Sequence, residues 1–125
     1  MTEEEILAYG AALPGARCDR PFEGDFETAV LRHADTGKWF AVLLEAPEKL
    51  FGVREKVLNL KCPPELSGLL AESDPNILPA YHMNKRLWIS VRFRFADAET
   101  VRKLIALSFE LTKKRGKKAK NENNL

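Results

Sequence analysis

The stretch at residues 87–95, LWISVRFRF, constrains the fold more than any other part of the chain. Leu87, Ile89, Val91, Phe93 and Phe95 fall on one side of an extended chain, and Trp88, Ser90, Arg92 and Arg94 on the other. Successive side chains of a strand point to opposite faces, so the alternation predicts a strand with one apolar and one cationic surface. Before it, Met83-Asn84-Lys85-Arg86 reads as a polar turn with two cations at its tip, Asn84 being tolerant of a positive φ. Residues 77–82 form the expected partner strand. Pro79 lacks an N–H, which places that strand at a sheet edge or gives it a bulge.

The remaining elements follow from periodicity and stop signals. Thr2 followed by Glu5 is a capping box opening a helix, with Glu3, Glu4 and Glu5 at its positive end; Ile6, Tyr9 or Gly10, and Leu13 repeat at helical spacing up to Pro14-Gly15. Residues 16–25 read as a loop. Residues 26–33 and 38–44 read as strands joined by Ala34-Asp35-Thr36-Gly37, the second apolar on both faces and therefore central. After a connection over 45–55, residues 56–61 form a third strand with Leu58 and Leu60 inward. Pro63 and Pro64 suit a helix start, followed by a stripe of Leu66, Leu69 and Leu70. Asp97 caps a last helix whose apolar face holds Val101, Leu104, Ile105, Ser108, Leu111 and Thr112, with Glu99–Lys103 and Glu110–Lys114 pairs on its wet side.

The order helix, three strands, helix, two strands, helix predicts an α+β protein: a two-layer sandwich, α-β(3)-α-β(2)-α, on an antiparallel sheet. The helices cover one sheet face and leave the other more open. A chain of 125 residues is one domain, assigned to 1–115, and 116–125 is a basic tail expected to be disordered. The net charge of +2 hides an acidic N-terminal end and a basic C-terminal one. Cys18 and Cys62 stand far apart with no CxxC, and no leader precedes them, which points to a cytosolic protein with reduced thiols. The apolar runs are too short to span a bilayer.

The segment Val57-Leu58-Asn59-Leu60-Lys61-Cys62-Pro63-Pro64-Glu65-Leu66, with residues 79–91, PAYHMNKRLWISV, resembles the MmcQ/YjbR-like family of small bacterial proteins. His-Met-Asn-Lys-x-x-Trp is the specific part, and the resemblance extends to Ser108-Phe109-Glu110-Leu111. Leu87 stands where the family often has His, which argues against a catalytic imidazole there. The resemblance implies a fold like that of secretion chaperones. It also implies a likeness to the double-wing DNA-binding domain of a phage transcription factor, from which a DNA-binding role is proposed for such proteins. No catalytic residues come with it.

The residues themselves offer one candidate site. Lys85 and Arg86 at the turn, Arg92 and Arg94 on the non-core face and Trp88 between them combine phosphate-binding cations with an aromatic platform, and Lys61 and Lys38 extend the patch if their strands lie alongside. A structural reading stands beside it: Asn84 fixing the turn, Lys85 pairing with a carboxylate, Trp88 packing under a loop, and the arginines simply solvated. His33, His82, Cys18 and Cys62 match no metal spacing, and no nucleophile–base pair or phosphate-binding glycine loop is visible. The tail lacks the apolar anchors that membrane binding needs. The expectation is a non-enzymatic, cofactor-free protein with no metal site that contacts DNA through the cationic sheet face. The competing reading is a protein-interaction or secretion-chaperone-like module that takes a peptide on an open sheet or edge strand. Neither fixes the oligomeric state.

Overall fold

The computed structural model describes residues 1–114, so the basic tail assigned to 116–125 lies outside the described residues. Its architecture is α+β, with a six-stranded antiparallel sheet in the order β1-β2-β3-β4-β6-β5. The strands are β1 (Ala16–Asp19), β2 (Ala29–His33), β3 (Trp39–Ala46), β4 (Glu55–Lys61), β5 (Ile77–Pro79) and β6 (Trp88–Val91); the helices are α1 (Glu3–Ala11), α2 (Glu48–Phe51), α3 (Pro64–Ser73) and α4 (Ala98–Thr112). The predicted order holds, with one added strand, β1, and one added helical turn, α2.

α1 begins with the capping box. The Thr2 hydroxyl accepts from the Glu5 amide at 3.1 Å and the Glu5 carboxylate accepts from the Thr2 amide at 2.7 Å. The helix lies close on β2, since a Cβ at Gly10 would sit 2.3 Å from Leu31 Cδ1. A larger residue there would push α1 off the sheet. α4 carries the other half of the helical layer. Val101, Leu104, Ile105, Ser108, Phe109 and Thr112 are buried, whereas Leu111, assigned to the apolar face, is exposed. Phe109 takes its place, crossing Phe40 edge-on with ring centroids 5.0 Å apart. On the wet side Glu99 pairs with Lys103 at 3.5 Å, but Glu110 meets Lys113 rather than Lys114. α3 contributes Leu66 and Leu70 to the core and leaves Leu69 exposed.

β5 ends at Pro79 rather than at residue 82, and three further boundaries differ from the sequence expectation, each for a local reason. β1 lies where a loop was expected, because an edge strand needs only backbone pairing to one neighbour, here Ala16 to His33 through Asp19 to Val30. β2 begins at Ala29 rather than at residue 26: Asp25 accepts from the amides of Glu27 and Thr28 and from the Thr28 hydroxyl, an Asx turn that keeps this segment out of the sheet. β6 ends at Val91. The Arg92 amide donates to Asn76 O, and Phe95 and Ala96 both donate to Arg92 O, so the chain turns there. Phe93 still reaches the core, but Phe95 is 61% exposed. The nine-residue alternation is a four-residue strand followed by a turn.

The main core fills the space between α1, α4 and the sheet, around Ile6, Leu31, Phe40, Leu58, Ile89 and Ile105. His33 lies inside it, with Nε2 2.8 Å from Thr112 Oγ1 and the ring tilted against Phe109, centroids 4.5 Å apart. The opposite sheet face is less open than expected. Val30, Val42, Leu44, Ala46 and Val57 form a second buried cluster under Trp39, Phe51, Tyr81 and Met83.

β3 and β4 separate at the Trp39/Lys61 end, and α4 closes the gap with one hydroxyl. Ser108 Oγ donates to Phe40 O at 2.6 Å and accepts from Lys61 N at 2.9 Å. Ser108→Ala leaves both backbone groups unpaired in a buried position, so urea denaturation should show a loss of about 1–3 kcal/mol as a lowered midpoint with an unchanged slope. An unchanged midpoint would mean that this bridge contributes nothing.

Candidate nucleic-acid interface

The strand register decides which of the predicted site residues meet. Lys61 on β4 pairs directly with Trp88 on β6. Lys38 and Trp39 at the start of β3 complete the same hollow, about 310 Å³ in volume, which Leu111 and Thr112 at the end of α4 close off. Arg86 is exposed in the turn two residues before Trp88, where Asn84 Oδ1 accepts from its amide at 2.9 Å. Among the described residues, Lys38, Lys61 and Arg86 form no ion pair.

Arg92 and Arg94 stand elsewhere, and the single cationic face expected from the alternation is not formed. Arg92 grips Glu55 through two bonds, Nε to Oε2 at 2.9 Å and the terminal nitrogen to Oε1 at 2.6 Å. Its guanidinium lies 4.4 Å from the ring centre of Phe51 and 4.8 Å from that of Phe95. Glu55 is buried, so the pair is a charge-neutral clamp between β4 and the turn after β6. The Glu55 hydrogen bond holds the Arg92 pKa above even the ordinary arginine value, outweighing burial. Arg94 is exposed, lies over Phe93 at 5.2 Å and shares a hollow with Glu3, Glu4 and Glu5 at the start of α1. Its surroundings are acidic.

The His-Met-Asn-Lys-x-x-Trp stretch acts first as a strap. Residues 80–87 run from β5 back to β6 across the second sheet face, tied down by two buried polar side chains. Asn59 Nδ2 donates to Tyr81 O at 2.7 Å, Ser90 Oγ accepts from Tyr81 N at 2.8 Å, and the Ser90 hydroxyl donates to Asn59 Oδ1. Asn59 and Ser90 face each other in the register of β4 and β6. Asn84 O accepts from the amides of Leu87 and Trp88, which closes the turn. The positive φ belongs to His82, at 66°, and not to Asn84; the His82 ring stacks on Tyr81. Lys85 Nζ donates to Ala80 O at 3.0 Å, a backbone partner where a carboxylate was expected.

Hollows lie on either side of the strap. On one side Tyr81 and Lys85 face Leu50, Phe51, Val57 and Leu78. On the other, His82 and Met83 face Phe22, Asp25, Trp39 and Leu44. Sequence reading missed Asn59 and Ser90; the available signal was an Asn in the middle of the apolar strand VLNLK. It also took Trp39 only as core. The two cysteines are unpaired, with Cys62 buried and its thiol pushed up by burial and then by Glu65. Among the described residues, no group of three His, Cys, Asp or Glu could hold a metal, and no helix is long and apolar enough to cross a membrane.

The fold recurs in solved structures of other proteins. The YjbR family profile matches residues 11–111, so the chain belongs to the YjbR family. It is 42% identical over 118 residues to YyaQ of Bacillus subtilis, covering 90% of this chain and 99% of that protein. To YjbR of Escherichia coli K12 it is 33% identical over 96 residues, 73% of this chain and 69% of the relative. A crystal structure of a Pseudomonas syringae protein superposes with a TM-score of 0.82 at 37% identity, over 90% of this chain and 100% of that one. A Deinococcus radiodurans protein, described as a DUF419 domain, gives 0.72 at 27% identity, over 92% and 80%.

Charge also fixes the segment beside the strap. Lys56 joins Glu3 of α1 at 2.8 Å to Glu27 at 2.7 Å, and although burial disfavours its charge, the hydrogen bonds it donates to Glu27 and Glu3 hold its pKa above the ordinary lysine value. The Asp25 carboxyl is held below its usual value by the Thr28 hydroxyl first, then by the Glu27 and Thr28 amides. A depressed folded pKa means that the unfolded chain binds the proton more readily. This contribution is complete above the ordinary carboxylate pKa and is lost as pH falls through the folded value. The stability difference between wild type and Asp25→Asn should therefore shrink between about pH 5 and pH 2 in thermal melts. A pH-independent difference would contradict the assignment.

Proposed function

We propose that this YjbR-family domain binds DNA at the Lys38–Trp39–Lys61–Trp88 end of its sheet, with Arg86 at the rim. The observation that carries this reading is the cross-strand pair Lys61–Trp88 beside Lys38 and Trp39, three of whose cationic neighbours and members (Lys38, Lys61, Arg86) have no acidic partner among the described residues. Unpaired ammonium and guanidinium groups neutralise phosphates, and an aromatic such as Trp88 can stack on sugars or bases. α4 ends at the same hollow, and Lys113 and Lys114 continue into a sequence with further lysines at 117, 118 and 120. Arg92 serves the clamp with Glu55, and Arg94 faces like-signed repulsion between its acidic neighbours and phosphate, so neither belongs to the proposed contact.

A peptide-docking role is the second reading. It is favoured by Phe26, 79% exposed, and the half-exposed Phe22 in the loop that follows the edge strand β1.

Fluorescence anisotropy with random duplex and single-stranded DNA across a salt series separates the two. Binding should weaken steeply with salt. Lys38→Glu with Lys61→Glu should lower affinity at least tenfold and flatten the slope of log K against log salt by about two. Arg94→Glu should leave both nearly unchanged, and deleting residues 116–125 should lower affinity without removing the dependence on Lys38 and Lys61. Absence of binding, or indifference to the double reversal, would overturn the proposal.

A further inference from the structure

The hollow on the α2 side of the strap has a chemistry of its own and shares no lining residue with the Lys61–Trp88 end. It measures about 300 Å³, at the small end of the range for ligand sites. Its walls are apolar: Leu50 and Phe51 from α2, Val57 from β4, Leu78 from β5 and the Tyr81 ring from the strap. Among the residues that line it, only Lys85 is charged.

Besides the Tyr81 hydroxyl, two polar side chains line the cavity. Ser90 lines the floor, but its hydroxyl is committed, donating to Asn59 Oδ1 and accepting from Tyr81 N. Lys85 Nζ has one acceptor, Ala80 O at 3.0 Å. An ammonium carries three donors, so two remain, and no carboxylate pairs with Lys85 among the described residues. The nearby Arg92–Glu55 clamp is self-neutralised, and Arg92 covers the Phe51 ring. The cavity thus presents a greasy wall and one uncompensated positive charge fixed at its side. Apolar contacts reward hydrocarbon, whereas a cation next to a low-dielectric wall rewards an anion more than it would in open water.

We infer that this cavity binds an amphipathic anion: a short hydrocarbon body, on the order of ten heavy atoms, with a single carboxylate or phosphate head bonded to Lys85. The body lies against Leu50, Val57 and Leu78, and the head group replaces water at the Lys85 ammonium. The strap supplies both the Tyr81 wall and the cation, so the site exists only while residues 80–87 stay tied to Asn59 and Ser90.

Amide chemical-shift titrations of the full chain with octanoate, octyl phosphate and 1-octanol test the inference. Both anions should move the amides of Leu50, Phe51, Leu78, Ala80 and Lys85 and saturate, while 1-octanol binds at least tenfold more weakly. The tighter of the two anions identifies the head group as a free carboxylate or a phosphate. Lys85→Met should abolish the preference for anions over the alcohol, and Leu50→Trp, at a half-exposed position, should block all three. Equal binding of octanol and the anions to the wild type, or shifts scattered away from these residues, would overturn the proposal without recourse to any variant.

Discussion

A buried hydrogen-bonded trio, Asn59, Ser90 and the Tyr81 backbone, holds the segment across the second sheet face in place. Asn59 and Ser90 are almost fully buried on a sheet face otherwise lined by Val42, Leu44, Ala46 and Val57. A polar group in such surroundings is costly unless it is bonded, which means that each member depends on the other two. The Tyr81 amide and carbonyl are the only partners that come from outside the sheet in this trio. Meeting that demand draws residues 80–87 across the face. The strap then defines a hollow on either side of itself, presents Lys85 to one of them and delivers Arg86 and Trp88 to the end of the sheet.

Charge pairing explains why the candidate cationic surface is smaller than the sequence suggests. Of the arginines and lysines that fall on strands or their ends, Arg92 is bound to Glu55, Arg32 to Asp19 and Lys56 to Glu3 and Glu27. These groups fasten neighbouring segments rather than face solvent as a field. Lys38, Lys61 and Arg86 lie near the end of α4 with no acidic partner among the described residues.

Much of the fold was legible because it rests on local signals. The Thr2–Glu5 box, the Asp97 cap, the Pro79 edge strand and the two-sided apolar pattern of β3 each report their own structure, and the structure bears them out. β1 was hidden, since Ala-Arg-Cys-Asp has no strand composition and is held only by pairing to β2. The end of β6 was hidden too: it depends on Asn76 O accepting the Arg92 amide, a contact between distant segments. The same holds for the candidate site. The pairing of Lys61 with Trp88 follows from a register that no local pattern states, and Glu55 neutralises Arg92 from 37 residues away. Alternation showed which face Arg92 would take but could not show what waited there.

The central claim is that the strap belongs to the folded core despite its loop-like sequence, and the amide of Tyr81 reports on it most directly. Its hydrogen exchange in the native protein should be as slow as that of Leu58 in the centre of the sheet, because opening it requires breaking the buried trio. In Ser90→Ala the Tyr81 amide should exchange many times faster while Leu58 stays protected. If the wild-type Tyr81 amide instead exchanged as fast as that of the exposed Phe26, the strap would be a mobile loop, and both the cavity beside it and the placement of Trp88 would lose their physical basis.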